Sequence, residues 1–503
     1  MTRRLAARAN ARRSVRYDVT TEPTTWQRYF IALGLLAGCS GSSGRNPAPL
    51  SPNDVNLIFV VSEDLAFNAP GDIDSTTSNL TDQGLQRSLR LATFLQQQVL
   101  GKNNVSHIYA LAPTTHLQTA QQYPDMVPLE VIQGFAVLNE ITLSSDLLGG
   151  TPYTGQNSPI NASYAPGSVP SGVVVPTQYC PTCRGLDFAD QGGDNEALVT
   201  GIVTASVPGY YVFSAPWETI SALLVNIDRL GGYGLSLPGT YQGPDHVYAL
   251  SIAPSGSIAL VTYDGNLNPP STYPALPSPL VSRSCTPPTP STIEVRSGVG
   301  GAVVPATANT NETLYIVRHA EAHPQGYWSD NNYVGAGQWR ALDLPNALLG
   351  KMAPDQVWSG DPAAFSVGTV SNLGEHYWSA VAPALTVAPY AIANDLPFHL
   401  ASSLDLSSPS LPQDTRDFFF TGGAFSNHKV LLGWMYTQTS QMIAALIASY
   451  FPNGGAPAVP VWSAADYDSI WIVTLDGSGN LLLDFSQCEG IDSSSLPAAA
   501  PQF

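Results

Sequence analysis

Arg318 and His319 are the residues of this sequence whose types and position most directly suggest chemistry. They lie in the segment 313–322, TLYIVRHAEA, where a short apolar run predicts a buried β-strand that ends in a polar cluster. The Arg guanidinium is a planar fork of N–H donors that matches the oxygens of phosphate or carboxylate. The pair therefore indicates an anion-binding site, and the competing interpretation is a histidine on a surface loop.

Three pairs of similar segments recur in the same order and indicate a tandem duplication. The pairs are 56–65 with 313–322, 210–224 with 428–446, and 245–264 with 466–485. The alternation of strand and helix patterns in each half predicts an α/β protein with mostly parallel sheets. We therefore expect a first half at 55–272 and a second half at 312–503, joined by the Pro/Ser/Thr/Gly-rich linker 273–311.

The motif RHAE (318–321) after a first strand resembles the histidine phosphatase superfamily, which has the phosphoglycerate-mutase-like fold. The helix start LTDQG (80–84) and the late segment DYDSIWIVTLD (466–476) add to this resemblance. It implies two tandem three-layer α/β/α domains, without a cofactor or metal. It also implies that His319 is the nucleophile, if the protein is active, and that Arg318 binds phosphate.

Other pocket residues that the resemblance implies are replaced in this sequence. In the second half, Ala382 stands where a second Arg is expected, Ala388 where an acid is expected, and Tyr436 where a second His is expected (Met435 if the register shifts by one). In the first half, Val61 and Ser62 replace the Arg-His pair. The second Arg position there holds Thr115 or His116, and the late His position holds Trp217 or Glu218.

These replacements favour a catalytically degenerate protein that binds phosphate or another anion through Arg318 and His319. The alternative is a phosphomonoesterase that acts through a phosphohistidine at His319, and a third hypothesis is a chance resemblance of another α/β enzyme. His323 and His376 could approach the same pocket, although most such histidines are solvated loop residues. A phosphorylated small molecule is the ligand we expect, and no protein partner can be named.

The N-terminal segment resembles a bacterial lipoprotein signal. Seven Arg residues precede or flank a ten-residue apolar run at 29–38, and Cys39 follows it. A run of ten residues is too short to span a bilayer. We expect a signal peptide at 1–38, lipid on Cys39 and a flexible tether at 39–54. The membrane is thus a partner through the lipid anchor. Ser40 after the cysteine favours the outer membrane of the bacterial cell envelope, facing the periplasm or the exterior.

Charge and cysteine content restrict the remaining possibilities. The 503-residue chain has 38 Asp+Glu against 20 Lys+Arg, for a net charge of −18. This acidity argues against nucleic-acid binding. Beyond Cys39, the cysteines can form disulfides in three pairings, and they are Cys180, Cys183, Cys285 and Cys488. A structural disulfide at Cys180 and Cys183 is favoured over a metal or redox site, because no second pair of ligands accompanies them.

Overall fold

Two β-sheets with helices on both faces make up the part of the chain that the structure describes. This computed structural model describes residues 46–143, 153–164, 169–170, 184–190, 193–323, 330–368 and 376–503. All of them lie in one compact unit, Asn46–Phe503. The predicted signal peptide, Cys39, Cys180 and Cys183 lie outside these ranges. None of the helices within them is both long enough and apolar enough to cross a membrane.

The first half contains a six-stranded sheet. Its strands, in spatial order, are β10 (Ile258–Asp264), β9 (His246–Ile252), β1 (Val55–Ser62), β8 (Gly209–Pro216), β2 (His107–Ala110) and β7 (Ile160–Asn161). Three neighbouring pairs are parallel and two are antiparallel. All eight residues of β1 are buried, as expected for a strand that is covered on both faces.

The second half contains a seven-stranded sheet with a matching central order. Its strands are β11 (Thr292–Val295), β19 (Leu481–Cys488), β18 (Ser469–Leu475), β12 (Glu312–Arg318), β17 (Lys429–Trp434), β13 (Gln356–Ser359) and β16 (Phe398–Leu400). Three pairs are parallel and three antiparallel. The prediction of a mostly parallel sheet is therefore wrong here. The physical reason is that the short turn between β18 and β19 forces a hairpin, and 292–295 of the predicted linker adds another antiparallel strand.

Helices connect the strands of both sheets. They are α1 (Asp82–Phe94), α2 (Val127–Ala136), α3 (Asp194–Ala205), α4 (Trp217–Gly231), α5 (Gly335–Leu348), α6 (Ala382–Ala393), α7 (Leu411–Phe420) and α8 (Tyr436–Ser449). A π-helical turn, Leu95–Val99, extends α1, and 3₁₀ turns lie at Pro113–Thr115 and Ser493–Ser495. Small two-stranded sheets pair β3 (Leu117–Gln118) with β4 (Tyr123–Pro124), β5 (Ile141–Leu143) with β6 (Tyr153–Gly155), and β14 (Phe365–Gly368) with β15 (His376–Ser379).

Local sequence explains where these elements begin. The hydroxyl of Thr81 accepts a hydrogen bond from Gly84 N at 3.2 Å and so caps α1. The paired segments also match one another in secondary structure. Segments 210–224 and 428–446 each form a strand that runs into a helix, and segments 245–264 and 466–485 each form a hairpin.

One hydrophobic core joins the two halves. It contains buried residues of α1 and α2, such as Leu89 and Ile132, together with residues of α6, such as Leu385 and Ile392. Separate clusters fill the opposite faces, with α3 and α4 on the first sheet and α7 and α8 on the second. Each sheet is therefore a middle layer between helices, whereas the predicted domain boundaries remain predictions.

A disulfide connects Cys285, in the segment 273–311, to Cys488 at the end of β19. It identifies one of the three pairings that the sequence left open. The bridge attaches the segment between the two halves to the end of β19.

Candidate functional site

Arg318 and His319 lie at the carboxyl end of the central parallel strands of the second sheet. Arg318 is the last residue of β12 and pairs with Trp434, the last residue of β17. The His319 N–H donates to the Trp434 carbonyl oxygen at 3.1 Å. Ligands of open α/β sheets bind at this edge, so the fold places the pair where a site is expected.

The Arg318 guanidinium is held between two tyrosine rings. Its central carbon lies 3.7 Å from the centroid of the Tyr467 ring and 4.1 Å from that of the Tyr436 ring. Its Nη1 donates to the carbonyl oxygens of Ala464, at 2.7 Å, and Asp466, at 3.1 Å. The side chain is only 2% exposed. Cation–π contacts of this kind are stronger when water is excluded, so Arg318 is fixed in one position.

One edge of the Arg318 guanidinium is not used by these contacts. Among the described residues, its hydrogen bonds all leave from Nη1, and its buried Nε has no hydrogen-bond partner. The Nε–Nη2 edge of a guanidinium is a two-pronged donor for an oxyanion. The geometry therefore combines a clamped cation with a buried Nε–H that has no acceptor.

The position of the hydrogen on the His319 ring follows from its hydrogen bond. Its Nδ1 lies 2.9 Å from the Ala320 carbonyl oxygen. Because that oxygen only accepts, Nδ1 carries the hydrogen and Nε2 keeps its lone pair. Desolvation and the adjacent Arg318 charge lower the pKa of His319 to about 4. The imidazole is therefore neutral at pH 7 in the free protein, and it can donate from Nε2 to an oxyanion only after taking up a proton.

The replaced family positions supply no further cation beside Arg318. Tyr436, the first residue of α8, lies with its ring over Arg318, and Met435 is the N-cap of that helix. Ala382 and Ala388 are both buried in α6. The Ala382 N–H donates to the Asn331 carbonyl oxygen at 2.9 Å. The position expected to hold a second cationic histidine thus provides an aromatic face.

The residues after His319 are each held by a different element. The Ala320 N–H donates to Thr386 Oγ1 of α6 at 2.8 Å. Glu321 accepts from Arg340 Nη2 of α5 at 2.8 Å. His323 is 5% exposed, and its Nε2 lies 2.6 Å from Asn157 Oδ1 of the first half. His323 is therefore a buried and bonded residue, not a solvated one, and the His376 side chain lies outside the described part of the structure.

Arg340 is a buried arginine near the site that the sequence analysis did not single out. It is fully buried and also contacts Glu489. In the first half, Arg87 contacts Asp72 and Asp245 in the same way. A sequence signal was present, since both arginines follow a helix glycine (Gly84 or Gly337) by three residues.

The corresponding edge of the first sheet is acidic. Val61 and Ser62 are buried at the end of β1, and Ser62 pairs with Pro216 of β8. Beside them lie the carboxyls of Asp64 and Glu218, which interact electrostatically. Desolvation and the Asp64 charge raise the pKa of Glu218 to about 7. This edge therefore does not suit a phosphate ligand.

His116 stands at the same acidic edge and belongs to a second pair. Its Nδ1 lies 2.8 Å from Asp125 Oδ2, and its ring stacks on Phe188 with 3.8 Å between centroids. The contact with Asp125 raises the pKa of His116 against the effect of burial. Sequence reasoning named His116 and Glu218 as alternatives at lost positions but did not foresee either pairing. No group of three or more His, Cys, Asp or Glu side chains that could hold a metal occurs within the described ranges.

Comparison with protein-family models found no match, and comparison with curated proteins found none either. Among solved structures, the SixA protein of Agrobacterium tumefaciens matches with a TM-score of 0.21 and 14% identity, over 33% of this chain and 93% of that chain. A protein histidine phosphatase SixA complexed with tungstate matches with a TM-score of 0.21 and 18% identity, over 35% and 97%. A mycobacterial glucosyl-3-phosphoglycerate phosphatase matches with a TM-score of 0.20 and 15% identity, over 35% and 97%. The similarity to histidine phosphatases is thus slight and covers 33–35% of this chain in these three matches.

Proposed function

We propose that this protein is a catalytically degenerate histidine-phosphatase-like protein that binds phosphate or another oxyanion through Arg318 and His319. The observation that carries the proposal is the unused Nε edge of Arg318, whose guanidinium is fixed by Tyr436 and Tyr467. A fixed guanidinium loses little freedom when an oxyanion binds, and its fork matches two oxygens.

The degeneracy follows from the charges around His319. Transfer of a phosphoryl group requires that charge on its oxygens be neutralised. Tyr436 and Ala382 stand where the family resemblance implies cations, and neither side chain is positive. Loss of one preorganised donor commonly lowers a rate by about 10²–10³. Two such losses would leave binding with little or no turnover.

Organisation and location complete the proposal. The first half (55–272) and the second half (312–503) are duplicated copies joined by 273–311, and only the second copy holds an anion. The matching central strand orders support the duplication. Lipid on Cys39, after a signal peptide at 1–38, would anchor the protein in the bacterial cell envelope, and the sequence pattern at 29–39 supports this.

A phosphomonoesterase is the second candidate, and one observation favours it. The hydrogen bond from His319 Nδ1 to the Ala320 oxygen leaves the Nε2 lone pair available for attack on phosphorus. Such an enzyme would form a phosphohistidine at His319 and hydrolyse it with water.

Calorimetric titration of the purified protein with inorganic phosphate tests the binding proposal. We expect wild-type protein to bind, Arg318→Met to lose binding, and Arg296→Met, a change at an exposed arginine, to bind like wild type. Equal binding by wild type and Arg318→Met would refute the proposed site. Turnover of several phosphomonoesters, compared with His319→Ala, decides between the two functions. If wild-type protein turns over a phosphomonoester and His319→Ala does not, the protein is a phosphomonoesterase and the proposal of a degenerate protein is wrong.

A further inference from the structure

His323 connects the anion site of the second half to the first half. It lies four residues after His319, and its Nε2 is 2.6 Å from Asn157 Oδ1 and 3.6 Å from Asp330 Oδ2. Asn157 comes from the first half, between β6 and β7, and is fully buried. A first-half side chain therefore reaches into the segment that follows Arg318 and His319.

The orientation of the Asn157 amide is determined by its partners. Its Nδ2 donates to Asp330 Oδ1 at 3.3 Å and to the Tyr333 carbonyl oxygen at 3.1 Å. Both partners are acceptors, so the nitrogen must face them and Oδ1 must face His323. The amide oxygen only accepts, and His323 therefore carries its hydrogen on Nε2.

The first half makes a second contact, to Asn332, which lies two residues after Asp330 in the sequence. Gln133 of α2 donates from Nε2 to Asn332 Oδ1 at 2.9 Å, and Asn332 Nδ2 lies 3.4 Å from the Ser158 carbonyl oxygen. Asp330, Asn332 and His323 are all at least nine-tenths buried. Loss of one partner in such a network leaves a buried polar group unsatisfied, so the network has one preferred arrangement.

These contacts affect His319 through the backbone of residues 320–323, which follow it directly. The Ala320 carbonyl oxygen orients the His319 ring, and the Ala320 N–H is held by α6. Glu321 is held by α5, and His323 is held by Asn157. The backbone of this stretch is also paired with residues 333 and 334, so loss of the contact with Asn157 would loosen one of several attachments.

We propose that Asn157 is a positioning residue that the first half supplies to the anion site of the second half. The degenerate half thereby controls ligand affinity through His323, without touching the ligand. This inference rests on the proposed function for its effect on affinity, but its structural part is independent of that function.

The test compares Asn157→Ala with Asn161→Ala in the full chain. Asn161 is a matched control, because its Nδ2 bonds to the Ile108 carbonyl oxygen within the first half. We expect Asn157→Ala to speed amide exchange at residues 320–323 by about tenfold. We also expect it to weaken inorganic phosphate binding by about tenfold, whereas Asn161→Ala changes neither quantity. If residues 320–323 of Asn157→Ala exchange their amide hydrogens at the wild-type rate, the proposal is overturned.

Two further outcomes keep this inference separate from the proposed function. If wild-type protein binds no phosphate, the proposed function fails, and amide exchange alone then decides the role of Asn157. If Asn157→Ala does not fold, nitrogen NMR of wild-type His323 decides instead. A hydrogen on Nε2 that exchanges slowly supports the contact with Asn157, and a ring whose only hydrogen is on Nδ1 contradicts it.

Discussion

At the scale of single residues, the site combines an Arg-His pair with two aromatic rings that pack on the arginine. Arg318 and His319 occupy the end of β12, but Tyr436 places a ring over the guanidinium. A phenol ring interacts with a cation through its face and adds no positive charge. Tyr436 therefore packs on Arg318 without adding a charge to the site.

A prediction at this scale concerns Arg340. Arg340→Ala would leave Glu321 and Glu489 without their shared partner in a buried position. Removal of one member of a buried ion pair costs about 3–5 kcal/mol, and we expect the free energy of unfolding to fall by that amount. Urea denaturation at pH 7 measures it.

Arg296→Ala is the control for this prediction. Arg296 forms an exposed pair with Glu294, and such pairs contribute at most about 1 kcal/mol. If the two variants lost equal stability, Arg340 would not have the structural role assigned to it.

At the scale of elements, α6 holds the backbone next to Arg318 and His319. It carries Thr386, whose Oγ1 accepts from the Ala320 N–H and donates to the Ala382 carbonyl oxygen at 2.7 Å. The helix thus fixes the residue whose carbonyl orients His319. The same helix contributes Leu385 and Ile392 to the core shared by the two halves.

The prediction for this element is that Thr386→Val destabilises the protein and loosens the site. Valine keeps the shape of threonine but leaves the buried Ala320 N–H without an acceptor. We expect a loss of about 1–3 kcal/mol in the free energy of unfolding, together with weaker phosphate binding, as measured by urea denaturation and calorimetry.

Thr439→Val in α8 is the matched variant for Thr386→Val. The hydroxyl of Thr439 donates to the Met435 carbonyl oxygen, one helical turn earlier, at 3.0 Å. Its loss should change stability less and leave phosphate binding intact. A larger effect of Thr439→Val on binding would count against the role of α6.

At the scale of the whole molecule, the protein buries several carboxyl groups that hold protons. Burial and the nearby Asp72 charge raise the pKa of Glu63 to about 9. Burial raises the pKa of Glu130 and that of Glu312 to about 8. In an unfolded chain a glutamate has a pKa near 4.3. Folding therefore favours the protonated form of all three groups.

The resulting prediction is that stability falls as the pH rises from 5 to 9. The contribution of a carboxyl with a raised folded pKa is complete below its unfolded pKa and is lost as the pH rises through its folded pKa. Glu130→Gln should flatten the slope by up to about 1.4 kcal/mol per pH unit. Urea denaturation at pH 5, 7 and 9 measures this, with Glu140→Gln, at an exposed position, as control. A rise in stability over this range would contradict the prediction.

The local parts of this molecule could be predicted from its sequence. The apolar run at 313–318 forms β12, the Thr81 signal begins α1, and the repeated segments form similar elements. Each of these features depends on residues close together in the chain, where periodicity and capping operate. The position of Arg318 and His319 at a strand end follows from the same local pattern.

By itself the sequence determined the α/β elements and the Arg-His pair at a strand end. Only the tertiary structure decided what those residues touch. It put Tyr467 on Arg318, Arg340 on Glu321 and Asn157 on His323. The physical reason is that each of these contacts joins residues that are 19 to 166 positions apart in the sequence. Such pairs form only once strand order and helix packing have brought separate segments together.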